Sequence, residues 1–205
     1  MLVQPGTLPG EPLAPVVPAR LCPLPSPLYT VLLGYKESPV AEARTRFGAL
    51  VRELLGAFLL GHARQLEATV GGPLHVVALV PSTQRPGPSP LGLVVGLGGA
   101  VTTVLPAARW APDLLRRAAH RGASPPVAHM RPHPAAFTVP EPDRAALAGA
   151  RVLLLDDTYV SGARSQSAAA ALQLAGAHTV IAPVGRVLRP DRVALHAEFL
   201  RRHAA

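Results

Sequence analysis

Apolar residues recur at three- and four-residue steps after Ser38-Pro39, which is the pattern of an amphipathic helix. The residues that form this stripe are Phe47, Leu50, Val51, Leu54, Leu55 and Phe58. Ser38 is a favourable N-cap, and proline is favoured at the first helical position that follows it. The pattern therefore predicts a helix that begins at Ser38-Pro39 and turns one apolar face towards a core.

Short apolar runs without polar alternation predict strands that are buried on both faces, as in a parallel sheet. These runs lie at residues 74–80, 101–105, 152–155 and 178–184. Helical patterns start at Ser89-Pro90, at Ser165 and at Pro190-Asp191, and Gly176 is a helix stop. Strands and helices that alternate over short links predict an α/β domain with a mostly parallel sheet.

Two regions lack a clear period. Residues 1–28 are rich in proline and predict an irregular N-terminal arm, which leaves residues 29–205 as the folded domain. Residues 106–149 are also rich in proline, with only a short helical pattern at residues 113–119.

Nineteen Arg and one Lys outweigh twelve acidic residues and give a net charge of +8. Such a balance raises nucleic acid or a phosphate-rich ligand as a partner. However, the Arg residues are scattered along the chain, and only residues 116–117 and 201–202 form adjacent pairs. The excess of Arg therefore indicates a compositional bias rather than a dedicated nucleic-acid surface.

Targeting and redox features are few. Residues 86–108 carry no charge, but prolines and glycines interrupt them, so we expect a helix and a buried strand rather than a membrane span. The N-terminal residues lack the basic and apolar regions of a signal peptide, and a cytoplasmic location is expected. The single cysteine, Cys22, excludes an internal disulfide framework.

The strongest chemical signal is the junction of a strand and a helix at residues 151–164. Four apolar residues are followed by Asp156 and Asp157, then by a Thr/Ser/Gly loop at 158–162. In open α/β sheets the ligand crevice lies beyond the carboxyl ends of the strands, where this loop must lie. Loop amides and a helix N-terminus favour an anion, and Gly162 allows a close backbone approach. Because paired carboxylates can bind a vicinal diol or hydrated Mg²⁺, the segment predicts a ribose 5-phosphate site.

Residues 152–164 resemble the signature of type I phosphoribosyltransferases, a family that binds 5-phosphoribosyl-1-pyrophosphate (PRPP). The resemblance implies that family's fold, a mostly parallel twisted sheet flanked by helices with a small irregular hood. It makes Asp156 and Asp157 catalytic residues on the ribose and ligands of the cofactor Mg²⁺, directly or through water. The implied PRPP-binding residues are Asp156, Asp157, Thr158, Tyr159, Val160, Ser161, Gly162 and Ala163. Arg164 would be a further phosphate contact.

Other short motifs resemble the ComF-like branch of this family. These motifs, in matching order before the signature, are Tyr35-Lys36, Val80-Pro81, Leu114-Leu115-Arg116-Arg117, Pro125-Pro126 and Ala136-Phe137. The resemblance makes the loop after Val80-Pro81 the pyrophosphate loop, which reads Ser82, Thr83, Gln84 and Arg85. Arg85 would be the third catalytic residue. Arg131 and His133 would belong to a cover over the site.

The chain departs from the ComF-like pattern in two ways. With Cys22 alone it cannot form the N-terminal zinc ribbon that ComF-like chains often carry. Its pyrophosphate loop lacks the usual long run of basic residues and offers only Arg85.

The resemblance implies a pentosyltransferase that transfers the 5-phosphoribosyl group of PRPP to a nitrogenous acceptor and releases pyrophosphate. No base-recognition pattern identifies the acceptor, which a hood built by residues 29–37 and 106–140 is expected to select. The alternatives are a PRPP-binding or ComF-like accessory protein associated with DNA, a PRPP hydrolase, and an acid-capped turn without a ligand. A receiver-type site is disfavoured because the only lysine, Lys36, lies more than a hundred residues before the acidic pair. The sequence leaves a homodimer open.

Overall fold

The computed structural model describes residues 13–82, 88–118 and 132–189 of the chain. Its α-helices are α1 (Pro27–Glu37), α2 (Ala41–Thr69), α3 (Leu97–Val104), α4 (Glu141–Arg144) and α5 (Ala163–Leu174). Its strands are β1 (Arg20–Pro23), β2 (Val76–Leu79), β3 (Arg109–Ala111), β4 (Arg116–Arg117), β5 (Phe137–Thr138), β6 (Arg151–Tyr159) and β7 (His178–Leu188). Short 3₁₀ turns lie at Pro90–Leu93, Pro134–Ala136 and Ala145–Leu147.

The main sheet has five strands in the order β1-β7-β6-β2-β3, and every neighbouring pair is parallel. The chain moves from β2 to one edge through β3, and from β6 towards the other edge through β7. Its direction across the sheet therefore reverses between β2 and β6, as in doubly wound folds. The predicted α/β class with a mostly parallel sheet is confirmed.

Helices cover both faces of this sheet, and the alternation of side chains along each strand divides the core in two. Val77, Leu79 and Leu153 face α1, α2 and α3, while Val76 and Leu154 face α5. The alanines of α5 at positions 168–170 are fully buried, so this helix lies close against the sheet. Close packing on both faces holds the carboxyl ends of β2 and β6 in fixed positions.

Three sequence-based predictions are wrong in detail. Residues 101–105 were expected to form a strand, but residues 101–104 lie in α3 and the neighbouring strand is β3. A short apolar run fits a buried helix as well as a strand, which explains the error. Ser38 is the C-cap of α1 rather than the N-cap of the next helix. The helical pattern after Asp113 gives a turn and β4, which pairs with β5 in a small antiparallel ribbon.

The expectation of an irregular N-terminal arm is also wrong for its described part. β1 is the edge strand next to β7, and its Cys22 is fully buried. Gln166 of α5 holds Ala14, with Oε1 accepting from the backbone N–H at 3.0 Å and Nε2 donating to the carbonyl at 2.9 Å. Proline is tolerated at the ends of edge strands, where backbone donors are not needed. The final helix predicted from Pro190 lies outside the described residues.

Candidate functional site

The candidate site lies where β2 ends beside β6. Leu79 pairs with Leu155, so the chain that leaves β2 passes next to the acidic pair at positions 156 and 157 of β6. This is also the point at which the order of the strands reverses. In doubly wound sheets ligands bind in the crevice at such a switch point.

The two acidic side chains point to opposite faces of the sheet, because neighbouring residues of a strand alternate. Asp156 points towards α5, where Ser165 Oγ donates to its Oδ2 at 2.5 Å. Asp157 points towards α1, where its Oδ2 accepts from Tyr35 Oη at 2.6 Å and lies 3.0 Å from Lys36 Nζ. Each aspartate is only 3% exposed.

Arg164 joins the two halves of this network. One of its guanidinium nitrogens lies 2.6 Å from Asp156 Oδ1 and 3.1 Å from Asp157 Oδ1. Arg164 is therefore placed against the acidic pair, and its predicted role as a phosphate contact finds no support in this geometry. Each of the four carboxylate oxygens therefore already has a hydrogen-bond or ion-pair partner. These partners are Arg164, Lys36, Tyr35 and Ser165.

The two carboxyl groups differ in their electrostatic surroundings. Burial raises the pKa of Asp156, and the opposing effect of Arg164 does not overcome it. Burial acts on Asp157 in the same direction, but Lys36, Arg164 and the hydroxyl of Tyr35 outweigh it and hold its pKa below the usual range. Asp157 is thus the member of the pair whose negative charge the fold stabilises.

Direct ligation of Mg²⁺ by Asp156 and Asp157 does not fit this arrangement. Hard cations need accessible carboxylate oxygens, and here an ammonium and a guanidinium already lie against them. Over the described ranges, no three His, Cys, Asp or Glu side chains are grouped as a metal site. The positive charge at this pair is supplied by Lys36 and Arg164.

The predicted phosphate loop is shorter than expected, because β6 continues through Thr158 and Tyr159. Only residues 160–162 connect β6 to α5. Gly162 is the N-cap of α5 at φ +80°, and a Cβ there would overlap the ring of Tyr159. Ser161 Oγ accepts from the backbone N–H of Ala163 at 3.3 Å. The turn thus brings the N-terminus of α5 to the switch point, and a glycine is required to make it.

Arg186 of β7 contacts this turn, although the sequence analysis did not identify it as a site residue. Its side chain is fully buried, and one guanidinium nitrogen donates to the Val160 carbonyl at 2.9 Å. The guanidinium carbon lies 4.6 Å from the centre of the Tyr159 ring. A lone Arg within the stretch 180–188, whose other residues are all uncharged and non-polar, is the signal that could have identified it.

Of the remaining predicted site residues, the structure describes only Ser82 and His133. Ser82 follows β2, whereas Thr83, Gln84, Arg85 and Arg131 lie outside the described residues. His133 packs on α5, with its backbone N–H donating to Ser167 Oγ at 2.7 Å, and its ring caps the turn at Pro134–Ala136. Its assignment to a cover stays a prediction.

Lys36 is the most informative residue that the sequence reasoning did not assign to the site. Its position along the chain served only as an argument against a receiver-type site, and the structure places its ammonium against Asp157. The composition of the chain contains a signal for this residue, because the sequence has nineteen Arg but only one Lys, at position 36. A compact ammonium and a planar guanidinium are not interchangeable in a confined ion pair.

A cleft of about 900 Å³ opens beside Lys36. One wall is formed by the end of α1 and the first half of α2, and the other by Ser82 and residues 88–95. This size is typical of small-molecule sites. Residues 35–37 line the cleft as part of the expected hood, whereas the described residues of 106–140 do not.

Comparisons with known proteins leave this geometry as the main guide to function. No protein-family model matches the chain, and no curated protein matches it significantly. Within the described ranges, every helix is too short or too polar to cross a membrane.

Proposed function

We propose that this protein binds PRPP and transfers its 5-phosphoribosyl group to a nitrogenous acceptor, with release of pyrophosphate. It would be a pentosyltransferase with the type I phosphoribosyltransferase fold, of the ComF-like branch without the zinc ribbon. One observation carries the proposal. Two adjacent carboxylates near the end of a strand, a glycine turn and a helix N-terminus follow one another in this order at the switch point of a parallel sheet.

The 5-phosphate would bind at residues 160–162 and the first turn of α5. The N-terminus of this helix provides backbone N–H groups and the positive end of the helix dipole. The buried guanidinium of Arg186 donates to the Val160 carbonyl and so places a positive charge next to the turn. These features favour a terminal phosphate at this position.

Asp156 and Asp157 would hold the ribose hydroxyls after a local rearrangement. Their oxygens already accept hydrogen bonds from protein donors, and the hydroxyl of Thr158 is buried without a partner among the described residues. An unsatisfied buried hydroxyl costs about 1–3 kcal/mol. A ligand that draws Arg164 away from the pair would expose the carboxylates and give Thr158 a partner.

The transfer itself needs positioning and charge rather than a protein nucleophile. The bond between the anomeric carbon and the pyrophosphate oxygen breaks with its electron pair on pyrophosphate, and the ribose gains oxocarbenium character. The acceptor nitrogen forms the new bond to that carbon and gives up its proton to solvent. Asp157, whose negative charge is stabilised, would favour the positive charge on the ribose. We treat Mg²⁺ as part of the substrate, the magnesium complex of PRPP. A cytoplasmic location and a homodimer stay predictions.

A PRPP-binding accessory protein without turnover is the second candidate, and the covered acidic pair favours it. Both aspartates are almost completely buried and already paired. If these contacts persist when PRPP binds, the carboxylates do not reach the ribose and the reaction lacks its charge partner. The protein would then bind PRPP as a sensor and would not turn it over.

Binding and turnover separate these functions. Ribose 5-phosphate and PRPP should bind the wild type in calorimetry, and a panel of bases and amines should reveal pyrophosphate release with at least one acceptor. PRPP binding without release with any acceptor would favour the accessory protein, and release without an acceptor would favour the hydrolase. Failure of both ligands to bind would refute the proposed site.

Asp157→Asn tests the named residues. Charge-assisted hydrogen bonds are the stronger kind, so the variant should lose about tenfold in PRPP affinity and turnover. Asp143→Asn is the matched control, because that aspartate lies on α4 and pairs only loosely with Arg109 at 3.7 Å. Equal PRPP affinity in the two variants would remove Asp157 from the site.

A further inference from the structure

The diphosphate of PRPP needs more positive charge than the loop after β2 provides. This loop contains one basic residue, Arg85, between Pro81 and Pro90. The diphosphate carries several negative charges, and burying them without cations is costly. If the proposed function is right, further cations must come from another element.

The cleft beside Lys36 contains such cations. Lys36 lies at the end of α1, while Arg44 and Arg52 lie two turns apart on α2, and all three line the cleft. Glu37 is the only acidic residue in the described lining. Lys36 is paired with Asp157, and Arg52 lies 3.8 Å from Glu53, so part of this charge is compensated. The charged side chains that line the cleft itself are nevertheless three cations and one carboxylate, which suits an anionic ligand.

The face of α2 that lines the cleft is shaped to admit a ligand between its two arginines. Its members follow the three- and four-residue helical steps, at Ala41, Arg44, Thr45, Gly48, Ala49 and Arg52. The residues between the arginines are small, and a Cβ on Gly48 would meet only Val94, at 3.8 Å. Eight residues of helix separate Arg44 from Arg52 by about 12 Å. The face is thus a shallow trough with a guanidinium at each end.

Existing contacts hold both arginines at the cleft. A guanidinium nitrogen of Arg44 donates to the Ser38 carbonyl at 2.6 Å, on the same wall. Arg52 reaches across to the Val95 carbonyl at 3.3 Å. A guanidinium has five N–H donors, so these contacts orient each group and leave donors that can turn towards an anion.

Lys36 connects this cleft to the acidic pair. Its ammonium lies 3.0 Å from Asp157, while the same side chain lines the cleft and is 21% exposed. Ser82, the first residue after the β2–Pro81 segment, lines the opposite wall. A ligand with its ribose at Asp157 would therefore direct the substituent on its anomeric carbon past Lys36 and into the trough.

We propose that the diphosphate of PRPP binds in this cleft, where Lys36, Arg44 and Arg52 supply the positive charge that the short loop after β2 lacks. This inference rests on the proposed function. It assigns the pyrophosphate-binding cations to α1 and α2 instead of to Arg85 alone.

The test uses Arg44→Gln, Arg52→Gln and the double variant in the full-length protein. The probes are inorganic pyrophosphate and PRPP, both with Mg²⁺, and ribose 5-phosphate, which lacks the diphosphate. Each single variant should lose about tenfold in affinity for pyrophosphate and PRPP, which corresponds to about 1.4 kcal/mol, because each removes charge-assisted hydrogen bonds to the diphosphate. Affinity for ribose 5-phosphate should not change.

Arg46→Gln is the matched control, because Arg46 lies on the exposed part of the same helix and outside the cleft. It should keep the affinity of the wild type for all three probes. Unchanged pyrophosphate affinity in the double variant, with ribose 5-phosphate still bound, would overturn this inference and leave the proposed function standing. Binding of pyrophosphate that depends on both arginines, without any binding of ribose 5-phosphate, would support the anion cleft and refute the proposed function.

Discussion

Replacing Asp157 by Asn removes the charge that Lys36 and Arg164 contact from two sides, whereas replacing Asp156 by Asn removes a charge that burial already disfavours. Asp157 Oδ2 lies 2.6 Å from Tyr35 Oη and 3.0 Å from Lys36 Nζ, and its Oδ1 lies 3.1 Å from Arg164. We therefore expect the two substitutions, which are chemically identical and adjacent in sequence, to differ in their cost to stability.

The magnitude follows from what each substitution leaves unpaired. Removing one partner of a buried ion pair costs about 3–5 kcal/mol. Lys36 can turn its ammonium towards water because 21% of its side chain is exposed, so for Asp157→Asn we expect a loss at or just below the lower limit of this range, about 2–3 kcal/mol. In Asp156→Asn the amide oxygen can still accept from Ser165, and Arg164 keeps Asp157. A loss of about 1 kcal/mol is expected there.

Urea unfolding at neutral pH measures both values, and the pH dependence tests the cause. The pKa of folded Asp157 lies below its unfolded value, so its contribution is present above the unfolded pKa and is lost as the pH falls through the folded pKa. The deficit of Asp157→Asn relative to the wild type should therefore shrink in acid. An Asp156→Asn variant that loses as much stability as Asp157→Asn at neutral pH would refute this division of charge.

Three further predictions concern the turn, the substrate metal and the buried arginine. Gly162→Ala should lose more stability than Gly71→Ala, which has a similar φ of +81° but open space around it, and only Gly162→Ala should weaken ribose 5-phosphate binding in calorimetry. Excess chelator and rising salt should weaken PRPP binding much more than ribose 5-phosphate binding, and equal PRPP affinity in chelator would contradict a magnesium-bound substrate. Arg186→Met should keep the packing on Tyr159 but lose the hydrogen bond to the Val160 carbonyl, so the affinity for ribose 5-phosphate should fall several-fold. Unchanged affinity would show that Arg186 does not contribute to the phosphate site.

The sequence was sufficient for features that depend on local pattern. Continuous apolar runs identified β2, β6 and β7, because a strand buried on both faces cannot alternate with polar residues. The acidic pair followed by Gly162 predicted the junction with α5, because a helix N-terminus and a positive φ require particular residues. The sequence also predicted that this junction lies at the ligand edge of the sheet.

Sequence patterns were ambiguous where two structures share one hydrophobic signal. Residues 101–104 are helical although their composition suits a strand, because contacts with α2 and β3 decide between the two. The proline-rich segment around Cys22 became an edge strand because β7 offered unpaired backbone groups for it to pair with. Neither outcome can be read from a short window of residues.

The charge network was decided by tertiary structure alone. Lys36 and Tyr35 meet Asp157, and Arg164 bridges both aspartates, because alternation along β6 directs the two carboxylates to helices on opposite faces. The sequence shows the charges but not which of them share a buried position. Burial then makes pairing obligatory, since a buried carboxylate without partners costs more than folding can supply.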